Sequence, residues 1–314
     1  MERFLCEGTY PTGGRMGMNG MADSLVGREI KKAVVPAAGL GTRLLSATKE
    51  QPKEMLPVFA LNEDETLCLK PMVQQIFEQL FDLGIHEFYF IVGRDKRAME
   101  DHFTPDCDYV NHLNSHGKNS QAVQLKSFYR RIDASMIVWV NQPEPKGFGD
   151  AVLRAKTLVG DEPFLVHAGD TLINSRAEPV VERLAEAFSN SQAVITLQEV
   201  EDPRQYGVAE VIEESDRSLS VRRVVEKPSE PASKLAIMPL YLFNSTIFEA
   251  LGSTQADENG ELQLTDAMQK LIENGHTVHA IKLRQDDTRL DIGTPETYWK
   301  ALELSHRHAL CKAR

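Results

Sequence analysis

Residues 31–58, KKAVVPAAGLGTRLLSATKEQPKEMLPV, place a short apolar run directly before a glycine turn and follow it with a concentration of positive charge. An apolar run of this length, closed by glycine, predicts a buried strand rather than a helix. Gly39 and Gly41 let the backbone turn tightly, so that its amides can face an anion with no Cβ atom in the way. The stretch contains neither GxGxxG nor GxxxxGK[ST], so it is neither a dinucleotide fingerprint nor a P-loop. Taken alone, two glycines suit a phosphate loop and a plain strand-to-helix turn about equally.

The charge around the loop favours the anion. Lys31, Lys32, Arg43, Lys49 and Lys53 face only Glu50 and Glu54 between residues 31 and 56, whereas the whole chain carries a formal charge of −11. A net negative chain repels nucleic acid and anionic membranes globally, so a phosphate ligand needs a local reversal of this kind. Arginine can grip phosphate oxygens in pairs, and lysine acts as a mobile point charge.

Working outward, KPMVQQIFEQLFDLG (70–84) puts Met72, Val73, Ile76, Phe77, Leu80 and Phe81 on one helical face, and EFYFIVG (87–93) is a second strand. Strand, loop, helix, strand is a βαβ unit with parallel neighbours. DAVLRAKTLVG (150–160) predicts another helix, and EPFLVHAGDT (162–171) a strand ending at Gly169 and Asp170. Ligands of open α/β sheets lie beyond the carboxyl ends of the strands, so Asp170 and the loop after Val35 are expected to share one crevice. From about residue 194 the texture becomes short β runs (193–200, 207–213, 219–228, 235–243), followed by helices over 245–253, 261–275 and 295–310 with a strand at 277–283. The polar stretch 112–131 is partly helical, an excursion between strands, and there is no internal repeat.

A chain of 314 residues with 42% hydrophobic and 26% charged residues is long enough for one large α/β domain. Residues 1–29 are expected to form a flexible tail and 306–314 a short C-terminal one, with the domain at 30–305. No apolar run approaches the roughly 20 residues that a membrane span needs. Cys6, Cys68, Cys107 and Cys311 form no CxxC pair, which indicates neither a zinc site nor a disulfide framework and fits a reducing, cytoplasmic setting.

Three further features carry chemistry. Asp170 in HAGDT and Asp291 in RLDIGTPE are acids at predicted strand ends; Asp291 alone suits a helix cap, but the two converging make a hard-oxygen Mg²⁺ site. Glu226 and Lys227 in VVEKPSEP offer an acceptor for hydroxyls and a donor for a phosphate, or else a surface pair. In NQPEPKGFGDA, Gln142 offers amide groups to a base edge, and Gly147 and Gly149 permit close approach of a flat ring.

The ordered set AAGLGTR, PKEMLP, QPEPKGFGDA, AGD, YGV, VVEKP, GELQLTDA and LDIGTPE resembles the sugar-1-phosphate nucleotidyltransferases over about residues 30–305, and within them the bacterial-type uridylyltransferases that use glucose 1-phosphate. The resemblance implies a Rossmann-like α/β fold, a mixed central sheet flanked by helices, with a nucleotide-binding part at about 30–193 and a smaller β-rich sugar-binding part at about 194–305. It implies attack of a sugar 1-phosphate on the α-phosphate of UTP, giving UDP-glucose and pyrophosphate, with Mg²⁺ as cofactor. By position, Arg43, Lys53 and Asp170 are implied in catalysis, and Asp170 and Asp291 in metal binding. Ala37, Ala38, Gly39, Gly41, Thr42, Gln142, Pro143 and Gly147 are implied in holding the nucleotide, and Gly207, Glu226, Lys227 and Glu261 in holding the sugar phosphate. Such transfer needs positioning and charge neutralisation more than a protein nucleophile, and no Ser/His/Asp arrangement is visible. Ser46, Asp150 and Pro239 depart from the family pattern, where proline, histidine and glycine are usual. The same reaction with dTTP, CTP or another sugar 1-phosphate is the nearest alternative; a glycosyltransferase or a non-catalytic nucleotide-sugar sensor is further off. The partners implied are UTP and the sugar phosphate, with no nucleic acid or membrane and with a homo-oligomer left open.

Overall fold

A computed structural model describes residues 30–189, 191–213 and 219–312; the expected tail 1–29 lies outside them. Thirteen strands run through the described residues: β1 (Lys32–Ala37), β2 (Pro57–Leu61), β3 (Leu67–Pro71), β4 (Glu87–Val92), β5 (Met136–Asn141), β6 (Phe164–His167), β7 (Thr171–Asn174), β8 (Ala193–Glu199), β9 (Gly207–Glu213), β10 (Leu219–Glu226), β11 (Leu235–Phe243), β12 (Val278–Lys282) and β13 (Thr288–Asp291). Nine of them form one sheet in the order β5-β4-β1-β6-β11-β8-β12-β10-β9. Every residue of β1 is buried. Ala33, Val35 and Ala37 pack into the core on one face of the sheet and Val34 into the core on the other, which is why this strand is apolar from Ala33 onward rather than alternating.

The order positions the site. From β1 the chain moves outward to β4 and β5, both added parallel, and then returns to lay β6 parallel on the opposite side of β1. Successive connections leave β1 in opposite directions, which opens a crevice beyond its carboxyl end between the β1 and β6 loops. The Met72–Asp82 helix covers one face through the predicted Met72, Val73, Ile76, Phe77, Leu80 and Phe81, and Gly84, at φ 94°, ends it. Beyond β6 the sheet turns mixed: β11 is antiparallel to both β6 and β8, β12 is parallel to β8, and β9 and β10 form an antiparallel edge. The expected α/β architecture with a β-rich second half is therefore the observed one.

Several local expectations change. A β2–β3 hairpin precedes the first helix, which begins at Met72 rather than Lys70. The expected helix at 150–160 divides into Phe148–Leu153 and Lys156–Val159. The C-terminal tail is not a tail: one helix runs from Pro295 to Lys312, because Ala301, Ser305, His308 and Ala309 continue a buried stripe at helical spacing and His306 packs its ring 4.9 Å from Phe59. Pro239 lies in β11 at an irregularity, where pairing to β8 passes from Met238↔Thr196 to Tyr241↔Ile195. A missing backbone donor costs least at such a break, and the Pro239 carbonyl still accepts from Ala168 N at 3.0 Å. Cys68 and Cys311 are free, and Cys107 is disulfide-bonded.

Candidate active site

The crevice beyond β1 holds a cavity of about 500 Å³. Ala38, Gly39, Gly41, Thr42, Arg43, Lys53, Gln142, Gly147, Asp170 and Glu261 all line it. Ala37 is buried beneath, Pro143 is exposed outside with Pro145 lining in its place, and Lys49 is an exposed lysine 3.2 Å from Glu50 rather than part of the wall.

The loop after β1 is shaped by Gly41 in the left-handed region at φ 66°, with its carbonyl accepting from Leu44 N at 2.9 Å and Thr48 Oγ1 at 2.8 Å. Two lysines flank its first glycine. Lys96 donates to the Gly39 carbonyl at 2.9 Å, and the Lys53 amine lies 3.6 Å from where a Gly39 Cβ would stand. Lys53 pairs with Asp170, which hangs from the turn between β6 and β7. Burial pulls the Lys53 amine down, but Asp170 and Glu54 outweigh it and hold the amine above its ordinary value. Burial pushes the Asp170 carboxyl up, and the Lys53 ammonium more than reverses this. Gly169 lets that turn approach: a Cβ there would come within 3.2 Å of Ala37 Cβ.

Asp291 ends β13 opposite Thr171 in the β7–β13 ribbon. Thr171 Oγ1 lies 3.4 Å from Asp170 Oδ1 and 3.5 Å from Asp291 Oδ1, and Ile292 N donates to the Asp170 carbonyl at 3.0 Å. Burial and the charge of Asp170 raise the Asp291 carboxyl. Asp291 caps no helix, since the Thr294 side chain accepts from Thr297 N at 3.2 Å and takes that place. Among the described residues no three His, Cys, Asp or Glu side chains gather as a metal cluster. Asp170 in the cavity wall and Asp291 beside it, on either side of Thr171, are two carboxylates, a hard-oxygen donor set suited to an ion that keeps waters and shares substrate phosphates.

Gln142 is buried, its backbone N–H spent on Val92 and its Nε2 on Gly147 O and Asp150 Oδ2. Gly147 and Gly149 answer to packing: a Cβ on either would stand 2.7 Å from the Leu262 carbonyl. The nearest neighbour of both is the backbone of the GELQL segment. The sugar-side residues form a neighbouring group. Glu226 accepts from Thr265 Oγ1 at 2.7 Å, and a Cβ on Gly207 would fall 2.8 Å from that oxygen. Lys227, at φ 40°, lies beside its own Glu226 at 3.3 Å. Gly207, Glu226, Lys227 and Asp291 are not in the cavity wall itself; Glu261, which is, accepts from Gln263 Nε2 at 3.2 Å, and the same nitrogen donates to Asp257 Oδ2 at 3.0 Å.

The buried Glu54–Lys96 pair, 2.8 Å apart, escapes sequence reasoning, as do Thr171 and Thr265. The signal for Lys96 was its place just past the carboxyl end of β4, in GRDK. A D-x-D string also escapes it: Asp106-Cys107-Asp108 begins the helix Cys107–Ser115, where Asp106 accepts from Tyr109 N at 2.8 Å. It is a helix cap, away from the cavity wall.

Comparison with known proteins bears on what the crevice holds. Residues 32–307 match the model of the nucleotidyl transferase family. The chain is 37% identical over 250 residues to a UTP–glucose-1-phosphate uridylyltransferase of Bacillus subtilis, covering 78% of this chain and 82% of that one. It is 37% identical over 271 residues to a second uridylyltransferase of that name from Staphylococcus saprophyticus, covering 85% and 88%. Among solved structures, a UDP-glucose pyrophosphorylase complexed with UDP-glucose superposes with a TM-score of 0.75 at 31% identity, over 89% of this chain and 99% of that one. The UTP-bound enzyme from Acinetobacter baumannii superposes at 0.76 and 29% identity, over 88% and 93%.

Proposed function

This chain belongs to the nucleotidyl transferase family, and from that premise we propose that it joins UTP and glucose 1-phosphate to give UDP-glucose and pyrophosphate. The observation that carries the reading is the convergence of the Gly39–Gly41 loop, Arg43, Lys53 and Asp170 with Gln142 in one cavity at the β1/β6 switch point. A phosphate oxygen of the sugar phosphate attacks the α-phosphorus of UTP; the bond from that phosphorus to the α–β bridging oxygen breaks, and pyrophosphate leaves with the electron pair. The sugar phosphate supplies its own nucleophile, so the protein's work is placement and charge. Arg43 and Lys53 steady the triphosphate, Gln142 and the loop hold the base, and Glu226, Lys227, Gly207 and Glu261 orient the sugar phosphate. Asp170 and Asp291 would hold Mg²⁺, which when bound supplies neutralisation of the phosphate oxygens. Lys53 then has two duties, since its pairing to Asp170 fixes the carboxylate while its ammonium stays in the wall.

On this reading residues 30–193 serve the nucleotide and 194–305 the sugar, with Asp291 and Gly293 reaching back across, and the enzyme works in the cytoplasm. Among the described residues no helix is long and apolar enough to cross a membrane. Incubation with UTP, glucose 1-phosphate and Mg²⁺ should release pyrophosphate in step with UDP-glucose. Absence of release with every triphosphate and sugar 1-phosphate tried would overturn the proposal.

A further inference from the structure

Resting on the nucleotidyl-transfer reading, we infer that Asp150 is a positioning residue that turns the Gln142 carboxamide so that its oxygen faces the base, selecting a pyrimidine with an N3–H, uracil or thymine, over cytosine. Gln142 is 4% exposed and lines the cavity. Its Nε2 donates to Asp150 Oδ2 at 2.7 Å and to the Gly147 carbonyl at 3.1 Å. A carboxylate and a backbone carbonyl only accept, so the amide nitrogen must face both, and the orientation follows from chemistry rather than from the choice of flip. Both N–H groups are thereby spent. Among the described residues no donor reaches Oε1. Arg154, one helical turn on, grips the same carboxylate with Nε at 2.9 Å and Nη2 at 3.4 Å, so Asp150 is not free to swing away.

Gln142 therefore offers the cavity an acceptor. Uracil and thymine carry a donor at N3, and cytosine carries a bare acceptor there. Acceptor against acceptor in a buried wall leaves both unpaired, and sites built around a hydrogen bond discriminate strongly against the analogue that cannot make it.

The test is equilibrium binding of UDP and CDP to the full chain by calorimetry, with kcat/KM for UTP and CTP alongside. The native protein should prefer the uridine nucleotide. Asp150→Leu removes the anchor that orients the amide, and the UDP-to-CDP ratio of Kd values should narrow by about tenfold or more with the thermal unfolding midpoint retained; Asp150→Ser serves if Asp150→Leu does not fold. An equal loss for both nucleotides, leaving the ratio unchanged, would show a merely structural role and overturn the inference, as would a native protein with no uridine preference. Absence of pyrophosphate release would defeat the proposed function, while the ratio of Kd values would still decide this inference.

Discussion

The cations on the two sides of the site are held in opposite ways. On the nucleotide side the Lys53 side chain is 14% exposed and Lys96 7%, and each is paired, to Asp170 and to Glu54. On the sugar side Lys227 is 56% exposed beside its own neighbour Glu226. Taking charges out of water costs several kcal/mol per ion, so the first arrangement persists only because each charge has a partner and a carbonyl or second charge nearby. What it gains is a wall of fixed polarity that need not reorganise when a triphosphate arrives. The second has no such cost, and it gains its full electrostatic strength only when an anion covers it. The difference predicts that damage to the first region appears in turnover and stability, and damage to the second in substrate affinity.

Asp170→Asn would test that contrast most severely. It removes one of two carboxylates that suit the metal and the partner that holds Lys53. Turnover should fall on the order of 100-fold or more, with the Mg²⁺ requirement shifted to higher concentration, as read by pyrophosphate release against Mg²⁺. A loss of only a few-fold, with the Mg²⁺ dependence unchanged, would place Asp170 outside the chemistry and dissolve the contrast.

The buried side should also show itself in the pH dependence of folding. His167, at the end of β6, is 1% exposed, and burial holds its imidazole down at about 4, against an ordinary value of 6.5. In the unfolded chain this histidine takes up a proton as pH falls through 6.5, while in the native state it stays neutral until about 4. Between those values the unfolded state binds more protons, so stability is complete above the upper limit and is lost as pH falls toward the lower one. From pH 7 to pH 5 the loss should be about 2 kcal/mol. Urea unfolding of the native protein and of His167→Gln at both pH values isolates it, and equal losses in the two would show that the imidazole is not held neutral.

These regions also differ in how far they could be read in advance. β1, β4 and β6 are legible because burial on both faces writes them as unbroken apolar runs, and the crevice follows from the order in which they occur. The β2–β3 hairpin and the pairing of β7 with β13 are not, since strands of four or five residues, interrupted in β3 and β13 by charged side chains, lack a period long enough to recognise. The pairing of Glu54 with Lys96 was hidden for a related reason: charged residues are almost always exposed, and only the fold discloses that these two are buried against each other. Arg43 and Asp170 could be named because each follows an apolar run, and Lys53 because it stands between Pro52 and the apolar MLPV in a locally basic stretch. Thr265 could not, because a threonine inside an amphipathic helix carries no chemical signal until Glu226 is seen to accept from it.

Lys227→Gln should have the smallest effect, and a different kind of effect. Lys227 N–H is tied to the Tyr206 carbonyl at 3.0 Å with φ at 40°, so the backbone aims the side chain whatever its charge, and glutamine, one atom shorter, keeps a polar end while losing the ammonium. Because the lysine is exposed in the free protein, no buried partner is orphaned by its loss and folding should be unchanged. An interaction made equally with bound substrate and with the transition state sets KM and leaves kcat alone. The KM for glucose 1-phosphate should therefore rise by about tenfold, with that for UTP and kcat little moved. Should kcat fall instead while KM holds, Lys227 would be acting on charge that develops only in the transition state, and the sugar side would belong with the preorganised wall across the crevice.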